Sequence, residues 1–352
     1  MPHKDSGHHG PGRVAVRLVA LVESESHVCC RYRLTAFHSA LVAAGHTLDF
    51  QPLPQSLFGR AALGRDLTSY DAIILQRKLL PRWVIALLRR RVQRLIFDFD
   101  DAVWLRDSYS TKGFNDPKRA ARFRATIQAC DLVVAGNAYL AEEARKFVPA
   151  NRITVIPTCV DVTKYHVRER TSHDSALRLV WVGSASTLQG LERFGPTLSA
   201  IGRAVPGARL KLICDRFTEF PDLPVERCTW VEATEAAEIA LADIGIGWVP
   251  DDPWSRGKCA LKVLQYQAAG LPVVANPVGV QADFVRDGET GFRANSTGEW
   301  VRAIQALAAD VGMRKRLGET ARCDVETHYS VEAGARLWIG SLARFGTTRM
   351  AG

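Results

Sequence analysis

The segment from Trp248 to Phe292 contains the residues with the clearest potential for chemistry. An apolar run, IGIGWVP, leads into a loop rich in Asp and Pro, and Gly257 follows that loop. We expect a helix from Lys258 to Ala269, whose first amides lack intrahelical partners and favour an anion. On such a helix Lys258 and Lys262 share one face, and Gln265 follows three residues later. Two ammonium groups and an amide at a helix start suit a diphosphate with a ribose attached; the alternative is a solvated helix face.

A second set of polar residues lies in the segment IFDFDDAVW, where an apolar strand is expected to end. Three carboxylates, those of Asp98, Asp100 and Asp101, lie at or just beyond its end. Strand alternation puts Asp98 and Asp100 on one face and Asp101 at the strand exit. A carboxylate there is suited to orient a hydroxyl or to accept its proton, although Asp is also a common turn residue. Trp104, just beyond, is suited either to stack on a sugar or to pack.

Two arginines follow the first apolar run, in the segment CCRYR. Arg31 and Arg33 are suited to hold an acidic group or phosphates at the mouth of a cleft; the alternative is a helix start with solvated arginines.

None of the eight cysteines forms a CxxC pair, and no Cys/His cluster has zinc spacing. We therefore predict reduced, mostly buried thiols and no metal site.

Composition bounds the class of protein. The chain has 352 residues, 46 Lys and Arg against 37 Asp and Glu, and a formal charge of +9. This is globular composition, and the length predicts two domains of roughly 150 residues each. No apolar run is long enough to span a membrane. Residues 1–12 read as a disordered leader without the apolar region of a signal peptide, which predicts a cytoplasmic protein.

Several function classes are disfavoured. No GxGxxG motif follows the first strand, and Gly183 and Gly190 after a later strand do not match it, nor does a Walker motif occur. A nicotinamide oxidoreductase or a P-loop enzyme is therefore disfavoured. The densest basic run, Arg89–Arg91 with Arg94, suits either a solvated helix end or a peripheral contact with an anionic membrane at its inner face. No motif favours nucleic acid as a partner.

Short apolar runs alternate with helix-length stretches along the whole chain, which predicts an α/β protein with parallel sheets covered on both faces. We expect long helices at Arg31–Ala44, Leu188–Ala204 and Thr297–Ala309, among others. Polarity rises at about residues 165–175, which we interpret as a linker. The prediction is an N-terminal Rossmann-like domain at 13–168, a C-terminal one at 176–328, and a last helix at 329–346 that packs back towards the first domain. Two doubly wound domains face each other across a cleft, where ligands bind beyond the strand ends.

At this point a family resemblance becomes specific. The run KVLQYQAAGLPVVANPVGVQADFVRDGETGF resembles the donor-binding signature of glycosyltransferase family 4, retaining enzymes of GT-B architecture. DLVVAGNAYLAEEA with ITVIPTCVDVTKY is similar to the end of that family's first domain, and LRLVWVGSAS to the start of its second. The resemblance spans about residues 14–345 and is strongest at 180–292. It implies the GT-B fold and a nucleotide-sugar donor.

The sequence also departs from the family pattern. Two glutamates with seven residues between them are usual, and their positions hold Gly257 and Gln265 here. Gln265 can hydrogen-bond ribose hydroxyls but carries no negative charge, and Asp251 or Asp252 is the candidate replacement near the donor sugar. This sequence resembles a branch with a Lys-x-x-Gln-Tyr helix. The family's Arg and Lys after the first strand of the second domain are absent, which shifts the phosphate-binding role to Lys258, Lys262 and Arg256.

The resemblance implies a metal-independent glycosyltransferase that retains configuration and needs no cofactor, since the nucleotide sugar is a substrate. The acceptor is a saccharide, a lipid-linked glycan or a small molecule. The alternatives are a noncatalytic GT-B protein that binds a sugar nucleotide or glycan, and a nucleotide-sugar epimerase. The predicted catalytic residues are Asp100 and Asp101, and the acceptor-side residues are Arg31, Arg33, Trp104 and Asn137. The predicted donor-binding residues are Gly183, Ser184, Asp252, Arg256, Gly257, Lys258, Cys259, Ala260, Lys262 and Gln265.

Overall fold

A computed structural model describes residues 15–63, 67–168 and 176–346. The predicted leader at 1–12 lies outside the described residues, as do residues 169–175 of the predicted linker. The described chain forms two six-stranded sheets in which every pair of neighbouring strands is parallel. The predicted α/β class with two doubly wound parallel sheets is confirmed.

The first sheet has the strand order β2-β1-β3-β4-β5-β6. Its strands are β1 Arg17–Val22, β2 Thr47–Pro52, β3 Ala72–Gln76, β4 Leu95–Phe99, β5 Leu132–Ala135 and β6 Ile153–Val155. Its helices are α1 Val28–Arg33, α2 His38–Ala43, α3 Leu57–Ala62, α4 Arg82–Arg91, α5 Pro117–Ala129 and α6 Ala138–Arg145. The chain order of the strands reverses between β1 and β3, which makes that junction the switch point where such sheets bind ligands.

The second sheet has the order β12-β11-β10-β7-β8-β9, so its switch point lies between β7 and β10. Its strands are β7 Arg178–Val182, β8 Arg209–Cys214, β9 Val225–Thr229, β10 Ile244–Gly247, β11 Val273–Ala275 and β12 Gly291–Arg293. Its helices are α7 Ala185–Arg193, α8 Gly195–Ala204, α9 Glu235–Ala240, α10 Leu261–Ala268, α11 Gln281–Phe284, α12 Thr297–Ala309 and α13 Val311–Asp324.

Each sheet is buried on both faces, as its unbroken apolar strands require. On β1, Val19 and Leu21 enter one core, and Leu18 and Ala20 enter the core on the opposite face. A π-helical turn at Val325–Tyr329 leads into α14, Val331–Gly346. The α14 helix leaves the second domain and packs its apolar face into the core that lies beside α2 of the first domain.

Two of the long helices predicted from the sequence are broken. The stretch predicted as one helix at Arg31–Ala44 forms α1, a 3₁₀ turn and α2. The stretch predicted at Leu188–Ala204 ends α7 at Arg193 and restarts as α8 at Gly195, because Pro196 cannot donate to the preceding turn. The helix predicted at Thr297–Ala309 has those bounds in the structure, where Ser296 and Glu299 form a capping box.

No helix among the residues that the structure describes is long and apolar enough to cross a membrane.

The contribution of α14 packing to the stability of the protein can be measured. Trp338 is 1% exposed within the core shared by α14 and the first sheet. We expect Trp338→Ala to lower the free energy of unfolding by about 3–5 kcal/mol, because it removes buried apolar surface and leaves a cavity. Urea unfolding followed by circular dichroism measures the loss. Leu337 is 42% exposed on the same helix, so Leu337→Ala is the control and should change stability by less than about 0.5 kcal/mol. Equal effects of the two substitutions would contradict the packing described.

Candidate functional site

The carboxyl ends of the two sheets face one another, and the site is built from the segments that leave them. In the first sheet, Arg77 follows β3, Asp100 and Asp101 follow β4, and Asn137 lies two residues beyond β5. In the second sheet, Gly183 follows β7, and residues 248–260 connect β10 to α10. The two switch points therefore contribute to one shared cleft.

Arg77 organises the carboxylates at the end of β4. Its guanidinium donates to Asp101 and lies 3.8 Å from an Asp100 carboxylate oxygen, and it also contacts the Cys29 thiol. Arg77 adopts a left-handed backbone with φ of 59°, and its amide donates to the Asp98 carbonyl. Burial raises the pKa of Asp101, while Arg77 and Lys258 act in the opposite direction. Sequence reasoning missed Arg77.

The structure corrects the prediction for Arg33. Its side chain is 1% exposed and forms a two-pronged ion pair with Asp98, which is equally buried. The guanidinium also donates to the Ile156 carbonyl. Two buried charges need such pairing to offset the loss of hydration. Arg33 is therefore an internal counterion of Asp98, and it does not lie at the mouth of the cleft.

Arg31 and Tyr32 connect α1 to the second domain. Arg31 forms a 2.7 Å ion pair with Glu232, so its charge is already paired in this arrangement. The Tyr32 hydroxyl donates to Glu235 at 3.4 Å and accepts from the Gln265 amide at 3.1 Å. Burial, reinforced by Glu235, raises the pKa of Tyr32 to about 12, so the hydroxyl keeps its proton.

Gln265 is 2% exposed and donates its amide to Tyr32. A ribose contact by Gln265 therefore stays a prediction that requires this bond to be exchanged. Glu235 is held a second time, because the Trp230 indole donates to it at 2.8 Å. A carboxylate thus lies beside Gln265, at the position where the family that the sequence resembles usually has a glutamate, and no local sequence pattern indicates this pairing.

The loop after β10 is held by its own acidic residues. The Asp252 carboxylate accepts from the Ser255 amide at 2.8 Å and from the Ser108 hydroxyl of the first domain at 3.2 Å. Arg256 is exposed and forms a 2.8 Å ion pair with Asp251. Asp252 therefore orders the loop and ties it to the first domain, while the Arg256 side chain lies in solvent.

The segment Gly257–Ala260 lies against the first domain. A side chain at position 257 would meet Ala102 at 2.9 Å, so only glycine permits this approach. Asn137 caps α6 and donates its amide to the carbonyls of Gly257 and Lys258, at 3.0 and 3.3 Å. The Cys259 thiol lies 3.1 Å from the Asp100 carbonyl, and burial raises its pKa. Asn137 and Cys259 therefore join the two domains, and Asn137 is buried rather than open to an acceptor.

The helix predicted from Lys258 begins three residues later, at Leu261. The reason lies in the backbone, since Lys258 is extended and Ala260 is left-handed, with φ of 47°. The amide of Gly257 donates to Trp254 and that of Lys258 to Ser255, so neither is a free helix-start donor. The prediction that Lys258 and Lys262 share a helix face is therefore wrong.

Lys262 occupies the first turn of α10, and its ammonium lies 3.7 Å from the centre of the Trp181 ring. Burial, reinforced by repulsion from Lys258, lowers the pKa of Lys262 to about 7. The two lysines therefore act on the same region of the cleft, although they lie on different elements. Gly183 belongs there too, because a side chain at that position would collide with the Trp181 ring.

Side chains of the protein itself bond to the amino end of α7. Ser184 caps the helix through a reciprocal pair with Thr187, and its own side chain is exposed. The Ala185 amide donates to the Asp215 carboxylate at 2.6 Å. An internal carboxylate thus already satisfies part of this helix start.

Trp104 packs inside the first domain. It is 7% exposed, and its ring lies 4.9 Å from that of Phe123 and 6.2 Å from that of Tyr139. Of the two predicted roles, packing is the one observed, and the prediction of a sugar-stacking Trp104 is corrected.

A loop from Leu105 to Asn115 bridges the two domains, and sequence reasoning missed it. A backbone bridge joins its ends, and Arg106 donates to carbonyls within it. Ser108 reaches Asp252, and Tyr109 lies against α7, where a side chain at Gly190 would meet its hydroxyl at 2.5 Å. Arg193 lies over the Tyr109 ring at 4.8 Å. The only sequence signal was a polar, Gly-containing stretch after the carboxylates.

Among the described residues, no three His, Cys, Asp or Glu side chains form a group able to hold a metal ion.

Similarity to known proteins agrees with this geometry. Residues 165–310 match a family model described as glycosyl transferases group 1. Over 231 residues the chain is 28% identical to a D-inositol 3-phosphate glycosyltransferase of Nocardia farcinica (strain IFM 10152). That match covers 54% of this chain and 48% of the relative, so it spans about half of the relative's length.

Solved structures match over nearly the whole chain. Sucrose-phosphate synthase from Thermosynechococcus elongatus matches with a TM-score of 0.71 and 17% identity, covering 96% of this chain and 100% of that one. Anabaena HepE in complex with UDP and glucose matches with a TM-score of 0.66 and 13% identity, covering 94% and 100%. The fold is therefore GT-B, as predicted.

The Tyr32 contacts predict the effect of a glutamate at position 265. Gln265→Glu places a second carboxylate beside the hydroxyl that Glu235 already holds. We expect a loss of about 1–3 kcal/mol in the free energy of unfolding at pH 8. Since burial raises the pKa of the new carboxyl, the folded state binds more protons than the unfolded state, and the loss shrinks towards pH 5. Urea unfolding at both pH values measures it.

The double variant Gln265→Glu/Glu235→Gln is the matched control, because it leaves a single carboxylate at Tyr32 and should recover stability at pH 8. A Gln265→Glu protein as stable as the unmodified one at pH 8 would show that the two groups do not interact.

Proposed function

We propose that the protein is a metal-independent glycosyltransferase that moves a sugar from a nucleoside-diphosphate donor to an acceptor hydroxyl with retention of configuration. The observation that carries the proposal is the contact across the cleft between Cys259, next to Lys258, and the carbonyl of Asp100, next to the Asp101 carboxylate that Arg77 holds. The family match of the second domain and the GT-B fold support it.

The donor diphosphate lies at the switch point of the second sheet. Lys258 and Lys262 face that region. Leu261 and Lys262 begin α10, where amides have no preceding helical turn to bond, whereas the Val263 amide already donates to the Ala260 carbonyl. Charge develops on the diphosphate as the bond to the sugar breaks, and fixed cations and amides stabilise it in that state. These groups supply the positive charge that a metal ion supplies in other transferases.

The acceptor approaches from the first domain, on the face of the sugar that the diphosphate leaves. The proposed role of Asp101 is to orient the attacking hydroxyl and accept its proton. Burial raises the pKa of Asp101, which moves the carboxylate towards the range in which a general base is effective at neutral pH. Asp100, also close to Arg77, holds that guanidinium in place. We assign no covalent nucleophile.

The proposals for compartment, acceptor and cofactor are those made from the sequence. We propose that it acts in the cytoplasm on a saccharide, lipid-linked or small-molecule acceptor, and takes no cofactor besides the nucleotide sugar.

Turnover tests the proposal. Labelled UDP-, GDP-, ADP- and dTDP-sugars, each with an acceptor panel, should give transfer from one donor class, and the anomeric configuration of the product should match the donor by NMR. Asp101→Asn should lower kcat by about 100-fold or more while nucleotide affinity is kept. Asp283→Asn, on the exposed side of α11, is the control and should keep full activity. Nucleotide-sugar binding without transfer or hydrolysis would instead identify a noncatalytic GT-B protein.

The pKa of Lys262 predicts a pH dependence of nucleotide binding. In the free protein the amine loses its proton as pH rises through about 7, and a bound diphosphate favours the ammonium form. Nucleoside-diphosphate affinity should therefore fall about tenfold between pH 6.5 and 8.5, with proton uptake on binding. Calorimetry in two buffers of different ionisation enthalpy measures both. Lys262→Arg stays charged and should remove the uptake. An unchanged pH dependence in that variant would place the titration elsewhere.

A further inference from the structure

A second cavity opens at the switch point of the first sheet, beside the cleft. Its volume is about 180 Å³, and it is lined by Glu23 after β1, by residues 53–55 after β2, by residues 78–80 after β3, and by Arg60 and Arg122 from flanking helices. None of the residues predicted from the sequence to form the site lines it. Its position is nevertheless the one where a doubly wound sheet binds ligands.

The charge of the cavity is asymmetric. Its lining has three cations, Arg60, Lys78 and Arg122, and a single carboxylate, Glu23. Lys78 pairs with Glu23 at 2.6 Å, with both side chains nearly half exposed. The two arginines make their identified bonds to neutral carbonyls, Arg60 to Pro54 at 3.1 Å and Arg122 to Leu79 at 3.5 Å. Those carbonyls orient the guanidinium groups without neutralising them.

We propose that this cavity is the anchoring subsite for an acceptor that carries a phosphate group. A guanidinium presents parallel donors that match the oxygens of a phosphate, and cations that line a cleft concentrate anions from solution. The apolar lining at Leu53, Leu79 and Leu80 suits the carbon frame of the acceptor. This inference rests on the proposed transferase function and specifies its acceptor.

The subsite is connected to the reacting groups by one peptide unit. Lys78 lines the cavity, and the preceding residue, Arg77, holds Asp101. Both residues leave the carboxyl end of β3, so the cavity and the Arg77 cluster lie at the same edge of the first sheet. The cavity fixes one end of the acceptor, and the Arg77 cluster receives the hydroxyl at the other.

Binding measurements test the proposal on the full chain. The probes are inorganic phosphate, glucose 6-phosphate and D-inositol 3-phosphate, compared with glucose and inositol, by calorimetry with the nucleotide site saturated by the tightest-binding nucleoside diphosphate. A phosphorylated probe should bind at least about tenfold more tightly than its unphosphorylated partner. The double variant Arg60→Gln/Arg122→Gln should remove that preference. Arg124→Gln, on the exposed side of α5, is the matched control and should keep it.

Two further arms separate the sources of the phosphate and the two proposals. The first is co-sedimentation with phosphatidylcholine vesicles that contain phosphatidic acid. Co-sedimentation that the Arg60→Gln/Arg122→Gln variant loses identifies a lipid phosphate as the ligand. Binding of a soluble probe without co-sedimentation identifies a free phosphate compound. Lys258→Met/Lys262→Met should abolish nucleotide binding and leave phosphate-probe binding intact, so that failure of the donor assignment is seen separately.

Equal affinity for phosphorylated and unphosphorylated probes together with no vesicle binding would overturn the proposal. A phosphate preference that persists in the Arg60→Gln/Arg122→Gln protein, with its thermal unfolding unchanged, would overturn it as well.

Discussion

The close approach of Gly257 to Ala102 is the contact on which the rest of the site depends. It brings the loop after β10 against the end of β4, and the absence of a side chain at position 257 makes the approach sterically possible. Asn137 and Cys259 then add polar contacts on either side of it. The first domain, rather than helix α10, fixes this loop, so Lys258 lies on an extended segment next to the Cys259 contact with Asp100.

Buried and partly exposed charged residues have different roles in this molecule. Arg33 and Asp98 neutralise each other inside the first domain, so they contribute structure and little field at the cleft. Arg77 holds Asp101 at the rim, and Lys262 lies over an aromatic ring with its proton weakly bound. The part of the +9 charge that acts in the cleft is therefore small, and it is concentrated in Arg77, Lys258 and Lys262.

The sequence predicts the fold well because apolar strands buried on both faces are visible as unbroken runs, and α5 and α12 follow from clear start and end signals. It predicts the site less well because the decisive contacts cross between domains. No local sequence pattern indicates that Arg33 is the counterion of Asp98, or that Gln265 donates a hydrogen bond to Tyr32. The left-handed Ala260, which delays the start of α10, is equally invisible, since alanine has no local preference for that conformation. Arg77 was within reach of prediction, because it directly follows a strand at a switch point.

The loop from Leu105 to Asn115 means that the two halves of the protein are not interchangeable modules. Tyr109 fits a space left by Gly190, and Ser108 fits Asp252, so part of the second domain's wall is encoded in the first. A chimera that joins this second domain to the first domain of another protein has a poorly fitting interface even when both sheets fold. Sequence change in the first domain is therefore constrained by the surface of the second domain that this loop must continue to match.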